Sequence, residues 1–316
     1  MKWNLISFDC TKTDTLGADK YHHTMLQRLF TISVRAVLRY LPPGAPMYIY
    51  TKLLHPKPLR AIANSVLRRI IPQSIIIPEG VLFLNQNDPV VSGALVLGAY
   101  EPYFTEEFRN HLTNGCTVAD IGANLGYYTL IASAHAKAIV AYEPEKENYT
   151  LLEHTIAENQ LTNVTLVKKG LGAKEEEMQL ILDPDNKGKH TLLGKANGET
   201  ELIEITTLDI SLHTLNISHV DVIKMDIEGW EAHAFTGMQR VLKESHPTIF
   251  VEYSPGRITA SGADPVKMLE SLLVFGYTLF LIDESKKALI PIDDIHFFTS
   301  KFSGSESYEN IIAKCI

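Results

Sequence analysis

The sequence has few cysteines and no long apolar run. Its 316 residues include three cysteines, Cys10, Cys116 and Cys315, which lie far apart in the chain. An odd and scattered set argues against a disulfide framework or a cysteine-rich metal site. No apolar stretch reaches the roughly 20 residues that a membrane-spanning helix needs, and Asp9 interrupts the pattern of a signal peptide. We therefore expect a reducing, cytoplasmic setting.

Charge is distributed unevenly along the chain. Residues 1–80 contain 11 lysines and arginines against 4 acidic residues, whereas the formal net charge of the whole chain is −8. The remainder is acidic, so we expect it to bind no nucleic acid. We interpret residues 1–75 as a basic helical N-terminal extension. Its amphipathic segments either pack on the main domain as a cap or contact an anionic membrane surface or an acidic carrier protein.

Residues 76–316 show alternating strand and helix patterns after an initial hairpin, which indicates an α/β domain with a mostly parallel sheet. The predicted strands are residues 117–121, 138–142, 164–168, 220–226, 248–253, 277–282 and 310–314. One insertion interrupts the alternation between the third and fourth strands. It consists of a strand pair, residues 177–182 and 201–207, around a polar loop. This insertion either carries substrate contacts or is a hairpin without a role in binding.

A glycine-rich turn follows the first predicted strand of the sheet. Asp120 ends that strand, and Gly122, Asn124 and Gly126 lead into a helix. Such a turn lets the backbone approach a nucleotide-like ligand, with N–H groups at the helix start free to face it. The pattern lacks the third glycine of the dinucleotide motif, which favours a ligand without a pyrophosphate, such as S-adenosylmethionine.

An acidic residue at the end of the second strand strengthens this interpretation. Glu143 lies 21 residues after Gly122, at the end of an apolar run. An acid at about that distance binds the ribose hydroxyls in nucleotide-binding sheets of this type. Glu101, which precedes a predicted helix over residues 105–112, either reaches the cofactor or caps that helix. The turn and Glu143 together predict a nucleoside-binding site.

The chain resembles the FkbM family of S-adenosylmethionine-dependent methyltransferases over roughly residues 80–316. The resemblance rests on DIGANLGYYTL, YEPEKENY, TTLDISL, DVIKMDIEGWEAHAFTGM and PTIFVEY. It implies a Rossmann-like methyltransferase sheet of seven strands, the last of them antiparallel. It also implies methyl transfer to a hydroxyl of a carbohydrate or a polyketide-type small molecule.

The resemblance further implies which residues hold S-adenosylmethionine. Asp120, Gly122, Asn124 and Gly126 would line the methionine end of the cofactor, and Glu143 would bind the ribose. Residues at Gly170 and Leu171 would border the adenine. The extension of residues 1–75 falls outside the resemblance.

The fourth strand carries the candidate catalytic residues. Alternation along the strand places Lys224, Asp226 and Glu228 on one side. We expect Asp226 to act as the general base or to anchor the acceptor hydroxyl, with Lys224 holding its charge. The alternative is a structural ion pair between these two residues, because buried charges need partners. Glu228 either joins the catalytic side or serves the positive end of the following helix.

Two further side chains are weaker candidates. Glu252 ends the next strand, and together with Asp226 it could bind a divalent cation, but no ligand cluster with metal-site spacing accompanies them. We therefore predict no metal. His190, in the polar loop of the insertion, either meets the substrate or is simply solvated.

Two other functions compete with that of an O-methyltransferase. A nicotinamide-dependent dehydrogenase would use a similar sheet, but the missing third glycine counts against it. A cofactor-retaining interaction protein without catalysis is the other possibility, and the side bearing Lys224, Asp226 and Glu228 argues against it. The acceptor, a small molecule or a glycan, is not identified by any motif.

Overall fold

A computed structural model describes residues 64, 65, 68, 71–183, 190–192, 199–302 and 307–315. Most of the predicted basic extension, residues 1–75, lies outside the described residues, and its contact with a membrane or a carrier protein stays a prediction. None of the described helices combines the length and apolar character needed to cross a bilayer.

The elements are numbered in chain order. The strands are β1 Ser74–Ile77, β2 Gly80–Phe83, β3 Thr117–Ile121, β4 Ala138–Tyr142, β5 Val164–Val167, β6 Gly170–Leu171, β7 Glu176–Ile181, β8 Thr200–Thr206, β9 Val222–Met225, β10 Thr248–Tyr253, β11 Tyr277–Asp283, β12 Ala288–Pro291 and β13 Glu309–Cys315. The helices are α1 Val91–Leu97, α2 Pro102–His111, α3 Tyr127–Ser133, α4 Lys146–Glu158, α5 Leu208–Thr214, α6 Glu231–Thr236, α7 Gln239–Glu244, α8 Pro255–Ala260, α9 Pro265–Val274 and α10 Ile295–Ser300.

The central sheet has eight strands in the order β12-β11-β13-β10-β9-β3-β4-β5. Strands β5, β4, β3, β9 and β10 are parallel, whereas β13 pairs antiparallel with both β10 and β11. The predicted Rossmann-like sheet with an antiparallel last strand is therefore confirmed. The prediction missed β12, which adds an eighth strand at the edge through a short antiparallel pairing with β11.

Apolar side chains cover both faces of this sheet. All five residues of β3 are buried. Val118 belongs to one apolar cluster, whereas its neighbours Ala119 and Ile121 belong to another. Because successive side chains of a strand point to opposite faces, the two clusters lie on opposite sides of the sheet. The middle of the sheet is thus fixed by packing, and its strand ends are free to carry polar residues.

Two smaller predictions at the start of the domain are also tested. The hairpin is present, and Ser74 pairs with Phe83. Asp88 accepts hydrogen bonds from the N–H groups of residues 90–92, just before and at the start of α1. Helix α2 begins three residues before the predicted start.

The predicted insertion forms a separate three-stranded sheet in the order β6-β8-β7. Strands β7 and β8 are antiparallel, as predicted, and β6 adds to β8 in parallel. Residues 184–189 and 193–198 of the polar loop lie outside the described residues. Because β6 follows β5 almost directly, the inserted sheet is joined to the main domain beside the ends of β4 and β5.

Candidate active site

A cleft opens at the carboxyl ends of β3, β4 and β9. Its volume is about 900 Å³, counting the solvent-filled mouth. The chain leaves β3 toward β4 on one side, and β9 lies on the other side of β3, so the cleft is at the point where the strand order reverses. Open α/β sheets bind their ligands at such a point.

The glycine turn lines one wall of the cleft. Gly122, Asn124 and Gly126 have positive φ angles of 74°, 53° and 91°. A Cβ atom on Gly122 would lie 2.0 Å from the carbonyl oxygen of Asp226, and one on Gly126 would lie 2.3 Å from a methyl group of Leu152. Backbone conformation favours glycine at both positions, and at Gly122 close packing against the Asp226 backbone requires it as well.

The N–H groups of the turn itself, before the helix begins, are paired. The N–H groups of Gly122 and Ala123 donate to the carbonyl oxygen of Tyr142, and the N–H group of Gly126 donates to that of Ala123. The Asn124 N–H group donates to Glu143. These donors are used to fix the turn, so the turn can present a shaped backbone surface to a ligand rather than a set of free donors.

Glu143 lies at the end of β4 and lines the cleft beside the turn. Its carboxylate accepts hydrogen bonds from the N–H groups of Asn124 at 2.8 Å and Glu145 at 2.9 Å. Burial nevertheless raises the pKa of Glu143 to about 8. The residue is thus a rigidly held buried carboxyl group, which fits the predicted position of a ribose ligand.

Asp120 lies behind the turn. Its side chain is fully buried and accepts a hydrogen bond from the Thr129 hydroxyl at 2.6 Å. It does not line the cleft. Burial raises the pKa of Asp120, and the nearby ammonium group of Lys224 opposes that shift. In this structure, Asp120 therefore supports the turn from below.

Lys224, Asp226 and Glu228 all line the cleft, but so does Ile227, which alternation would place on the other side, because β9 ends at Met225. The Lys224 ammonium group donates to the carbonyl oxygen of Gly122 at 3.1 Å and lies 3.8 Å from an Asp226 carboxylate oxygen. Lys224 is buried, whereas the Asp226 side chain is 28% exposed. The lysine thus links the glycine turn to Asp226.

Three carboxylate groups converge next to Lys224. Oxygens of Asp226, Glu228 and Glu252 lie within 4.8 Å of one another. The Arg257 guanidinium group, from α8, forms ion pairs with Glu228 and, at 3.3 Å, with Glu252. A divalent cation would have ligands here, as considered for Asp226 and Glu252, but Arg257 already supplies positive charge at two of the three carboxylates.

The three carboxylates differ in their surroundings. Arg257 holds Glu228, and burial together with neighbouring carboxylates raises the pKa of Glu252 well above its usual value. Asp226 has one oxygen, Oδ1, without a hydrogen-bond partner in the described part of the chain. Asp226 is therefore the member of this group best placed to accept a proton in the cleft.

The expectation that Glu228 serves the start of the following helix is wrong. Glu228 pairs with Arg257, and one carboxylate oxygen of Glu231 accepts from the N–H groups of Ile227 and Gly229 in the loop before α6. Glu231 is 1% exposed, and burial raises its pKa to about 7. Glu231 thus fixes the loop that carries Asp226 and Glu228.

The remaining candidates occupy different places. Gly170 and Leu171 line the cleft beyond Glu143, at the start of the inserted sheet. His190 also lines it, on the side of the inserted sheet, and its Nδ1 atom accepts a hydrogen bond from the Asp183 N–H group. His190 is therefore buried rather than solvated.

Glu101 is not the cap of α2. The Glu101 side chain makes no capping hydrogen bond and instead accepts from the Tyr128 hydroxyl at 3.0 Å and the Asn310 amide at 2.8 Å. Burial raises its pKa. The start of α2 is capped by Glu284, whose carboxylate accepts from the N–H groups of residues 103 and 104. Glu101 does not line the cleft, but its neighbour Tyr100 does.

Sequence reasoning missed four residues at this site, namely Tyr100, Trp230, Glu231 and Arg257. Tyr100 and Trp230 line the cleft, and Arg257 and Glu231 hold its acidic residues. Glu231 lies in the quoted segment KMDIEGWE, and an acid just inside a helix start is a recognisable capping signal. The others carried no local signal, because their partners are distant in sequence.

A family model described as the methyltransferase FkbM domain matches residues 120–279. The match covers the glycine turn, Glu143, the inserted sheet and the three converging carboxylates. No curated protein matches the chain in sequence.

Solved structures with a similar arrangement share little sequence with the chain. An FkbM methyltransferase of Methylobacillus flagellatus is 15% identical with a TM-score of 0.43, and the alignment covers 81% of this chain and 59% of that one. A Streptococcus mutans protein solved in complex with SAH is 11% identical with a TM-score of 0.40, covering 66% of this chain and 94% of that one. An rRNA methylase of Streptococcus thermophilus is 10% identical with a TM-score of 0.39, covering 67% and 93%. This chain thus spans less than two thirds of the Methylobacillus protein.

Proposed function

Since the chain belongs to the FkbM methyltransferase family, we propose that it moves the methyl group of S-adenosylmethionine to a hydroxyl of a carbohydrate or a polyketide-type small molecule. The cleft fits this donor. The glycine turn offers a backbone surface without side chains, and Glu143 offers a carboxylate for the ribose hydroxyls. Gly170 and Leu171 lie farther along the same wall, where the adenine would be.

S-adenosylmethionine supplies an electrophilic methyl carbon, and transfer forms a bond from the acceptor oxygen to that carbon while the carbon–sulfur bond breaks. The hydroxyl proton has to leave the acceptor oxygen. A correctly placed general base contributes about 10² to 10⁴ in rate to such a step. In this chain we assign that role to Asp226.

The observation that supports this assignment is the accessibility of Asp226, whose side chain is 28% exposed, against 12% for Glu228 and 11% for Glu252. An oxygen of the Asp226 carboxylate lies 3.8 Å from the Lys224 ammonium group. Lys224 would hold Asp226 beside the glycine turn, and Arg257 pairs with Glu228 and Glu252 but not with Asp226. Proximity of the acceptor oxygen to the methyl group would supply much of the remaining acceleration.

Binding and turnover measurements test the proposal in two steps. Isothermal titration calorimetry with S-adenosylmethionine, S-adenosylhomocysteine (SAH) and NAD is expected to show binding of the first two ligands only. SAH release is then followed with a panel of sugars and polyketide-type alcohols. Binding of NAD alone would favour a dehydrogenase and contradict the proposal. Donor binding without SAH release across a broad panel would favour the non-catalytic alternative.

A further inference from the structure

Three tyrosine rings meet in one wall of the cleft. Tyr100, Tyr127 and Tyr128 all line it. The ring centroids of Tyr100 and Tyr127 are 5.7 Å apart with the ring planes at 89°, and those of Tyr127 and Tyr128 are 5.1 Å apart with the planes at 71°. Rings at such angles form the sides of a corner rather than a parallel stack.

Two of these rings are partly accessible. Tyr128 is 3% exposed, and the Lys224 ammonium group lies 5.3 Å from the centroid of its ring. Tyr100 and Tyr127 are half-buried. Among the described residues, no cation lies over either of these two rings. The corner that they form can therefore receive a positively charged group of a ligand.

The charges around Tyr100 also favour a cation at this corner. Burial raises the pKa of Tyr100 well above its usual value. Three neighbouring carboxyl groups raise that pKa further, those of Glu101, Asp226 and Glu252. The phenol group therefore stays neutral beside several acidic side chains. Since Lys224 already lies 3.8 Å from Asp226, a further cation would be attracted to the remaining acidic groups.

The placement of the donor under the proposed function brings its sulfonium centre to this corner. The sulfur atom joins the ribose, the methionine chain and the methyl group, which are assigned to Glu143, the glycine turn and the side of Asp226. Tyr127 directly follows the glycine turn. Tyr128 contacts Lys224, which lies between the turn and Asp226. The tyrosine corner thus lies between the methionine end of the cleft and the proposed general base.

We infer that Tyr100 and Tyr127 bind the sulfonium centre of S-adenosylmethionine through their ring faces, and that the cleft thereby prefers the donor over SAH. This inference rests on the proposed function, because it takes the donor to be S-adenosylmethionine. An aromatic face attracts a cation through the ring quadrupole, and the attraction is stronger where water is excluded. The neutral thioether of SAH lacks the charge that this attraction needs.

Methyl transfer would remove the basis of this attraction. As the acceptor oxygen bonds to the methyl carbon, the carbon–sulfur bond breaks and its electron pair returns to sulfur, while the hydroxyl proton passes to Asp226. The ligand thus loses one positive charge and the cleft loses one negative charge. The cleft therefore holds SAH less tightly than the donor, which favours release of the product after each turnover.

The ratio of the affinities for S-adenosylmethionine and SAH tests this inference. Calorimetry with both ligands is performed on wild type, on Tyr100→Leu and Tyr127→Leu, and on the corresponding phenylalanine variants. We expect each leucine variant to lower the preference for S-adenosylmethionine by about 5-fold, because the aromatic face is lost. The phenylalanine variants keep the face and should stay within about two-fold of wild type. Because both ligands are compared on the same variant, a general loss of stability cancels from the ratio.

Tyr149→Leu is the matched control. Tyr149 is half-buried on α4 outside the cleft, with the Lys168 ammonium group 6.0 Å from its ring centroid, and this variant should leave the ratio unchanged. Sinefungin, which carries an amine in place of the sulfonium methyl group, should lose affinity relative to SAH in the two leucine variants, as S-adenosylmethionine does.

Two results would overturn the inference and leave the proposed function standing. One is an unchanged ratio in both Tyr100→Leu and Tyr127→Leu. The other is an equal loss in the leucine and phenylalanine variants, which would assign the effect to the hydroxyl groups rather than to the ring faces. Failure of wild type to bind either S-adenosylmethionine or SAH would instead contradict the proposed function itself.

Discussion

The two sides of the cleft are built from different materials. The glycine-turn side, residues 122–126 with Glu143, is formed mainly by backbone groups whose hydrogen bonds join the ends of the neighbouring strands β3 and β4. The carboxylate side, Asp226, Glu228 and Glu252 with Arg257, is formed by side chains that neutralise one another across separate elements. The glycine-turn side therefore has a fixed shape, whereas the carboxylate side depends on a balance of charges.

This difference indicates where function can change by single substitutions. A backbone surface tolerates few changes, because any added atom on Gly122 meets the backbone of Asp226. A group of balanced side chains can be altered one residue at a time, with a cost set by the charge that loses its partner. We therefore expect donor binding to depend on shape and acceptor chemistry to depend on charge.

The largest effect is expected at Asp226. Asp226→Asn should lower turnover by about 10² to 10⁴, because the amide is not a proton acceptor for the hydroxyl. SAH affinity should stay within about two-fold of the wild-type value, since the proposed ribose and base contacts are elsewhere. SAH release and calorimetry measure the two quantities. Asp293→Asn, at an exposed acid, is the matched control. Equal loss of binding and turnover would break the separation of the two sides.

Removal of the Arg257 guanidinium group should destabilise the carboxylate side. Arg257→Ala should lower the free energy of unfolding by about 3 kcal/mol, because it leaves mostly buried carboxylates without their partner. Adding Glu228→Gln should recover part of the loss. The measurement is urea unfolding, with Arg240→Ala, which breaks an exposed pair with Glu244, as a control expected to cost less than about 1 kcal/mol. Similar losses for both arginines would show that the cluster is not charge-balanced.

A pair of glycine variants tests whether the other side depends on shape. Gly122 and Gly98 have similar φ angles of 74° and 67°, but a Cβ atom on Gly98 would meet nothing within 4 Å. Gly98→Ala should cost about 1 kcal/mol from backbone strain, and Gly122→Ala about 2 kcal/mol more from overpacking. Urea unfolding and SAH titration measure both variants. Equal costs would mean that the contact with Asp226 is unimportant.

Glu143→Ala should weaken SAH binding by about 1.5 to 3 kcal/mol, as expected for lost hydrogen bonds to a charged group. Burial raises the pKa of Glu143 to about 8. Calorimetry near pH 8.5 therefore measures the SAH affinity of the protein with Glu143 ionised. Glu145→Ala, at the neighbouring cap of α4, controls for loosening of this loop. Unchanged SAH affinity in Glu143→Ala would show that the ribose does not bind at Glu143.

Stability should also depend on pH through Glu143. The pKa of Glu143 is raised to about 8 in the folded protein, whereas an unfolded glutamate titrates near about 4.3. The unfolded chain therefore releases its proton first, and this contribution to stability is present at low pH and is lost as pH rises toward 8. Between these limits, wild type should lose up to about 1.4 kcal/mol per pH unit relative to Glu143→Gln. Parallel unfolding curves of the two proteins from pH 5 to 8 would contradict the raised pKa.

Much of the glycine-turn side could be predicted from the sequence, because its determinants are local. Alternating apolar segments identified the strands. The spacing from Gly122 to Glu143 predicted that these two residues lie on the same side of the cleft. The hydrogen bonds within the turn were not predictable, since they depend on how β3 and β4 align. The short edge strand β12 was missed because four residues carry little periodicity.

For the carboxylate side, only the residues that lie close together in one segment of the chain could be predicted. Lys224, Asp226 and Glu228 lie within five residues, and this closeness in sequence predicted that they meet, although β9 itself ends at Met225. The partner Arg257 comes from a helix after the next strand. Tyr100 comes from the chain before α2. Sequence periodicity does not predict contacts between distant segments. Only the folded structure therefore shows that Arg257 pairs with Glu228 and Glu252 and not with Asp226.

Glu284 stabilises a helix that is distant from it in the sequence. It lies in the connection between β11 and β12, after the end of the family match at residue 279, and yet its carboxylate holds the first turn of α2. The chain enters that turn through Tyr100 and Glu101. A substitution at Glu284 would therefore loosen the part of the cleft lined by Tyr100 while leaving every residue of the glycine turn in place.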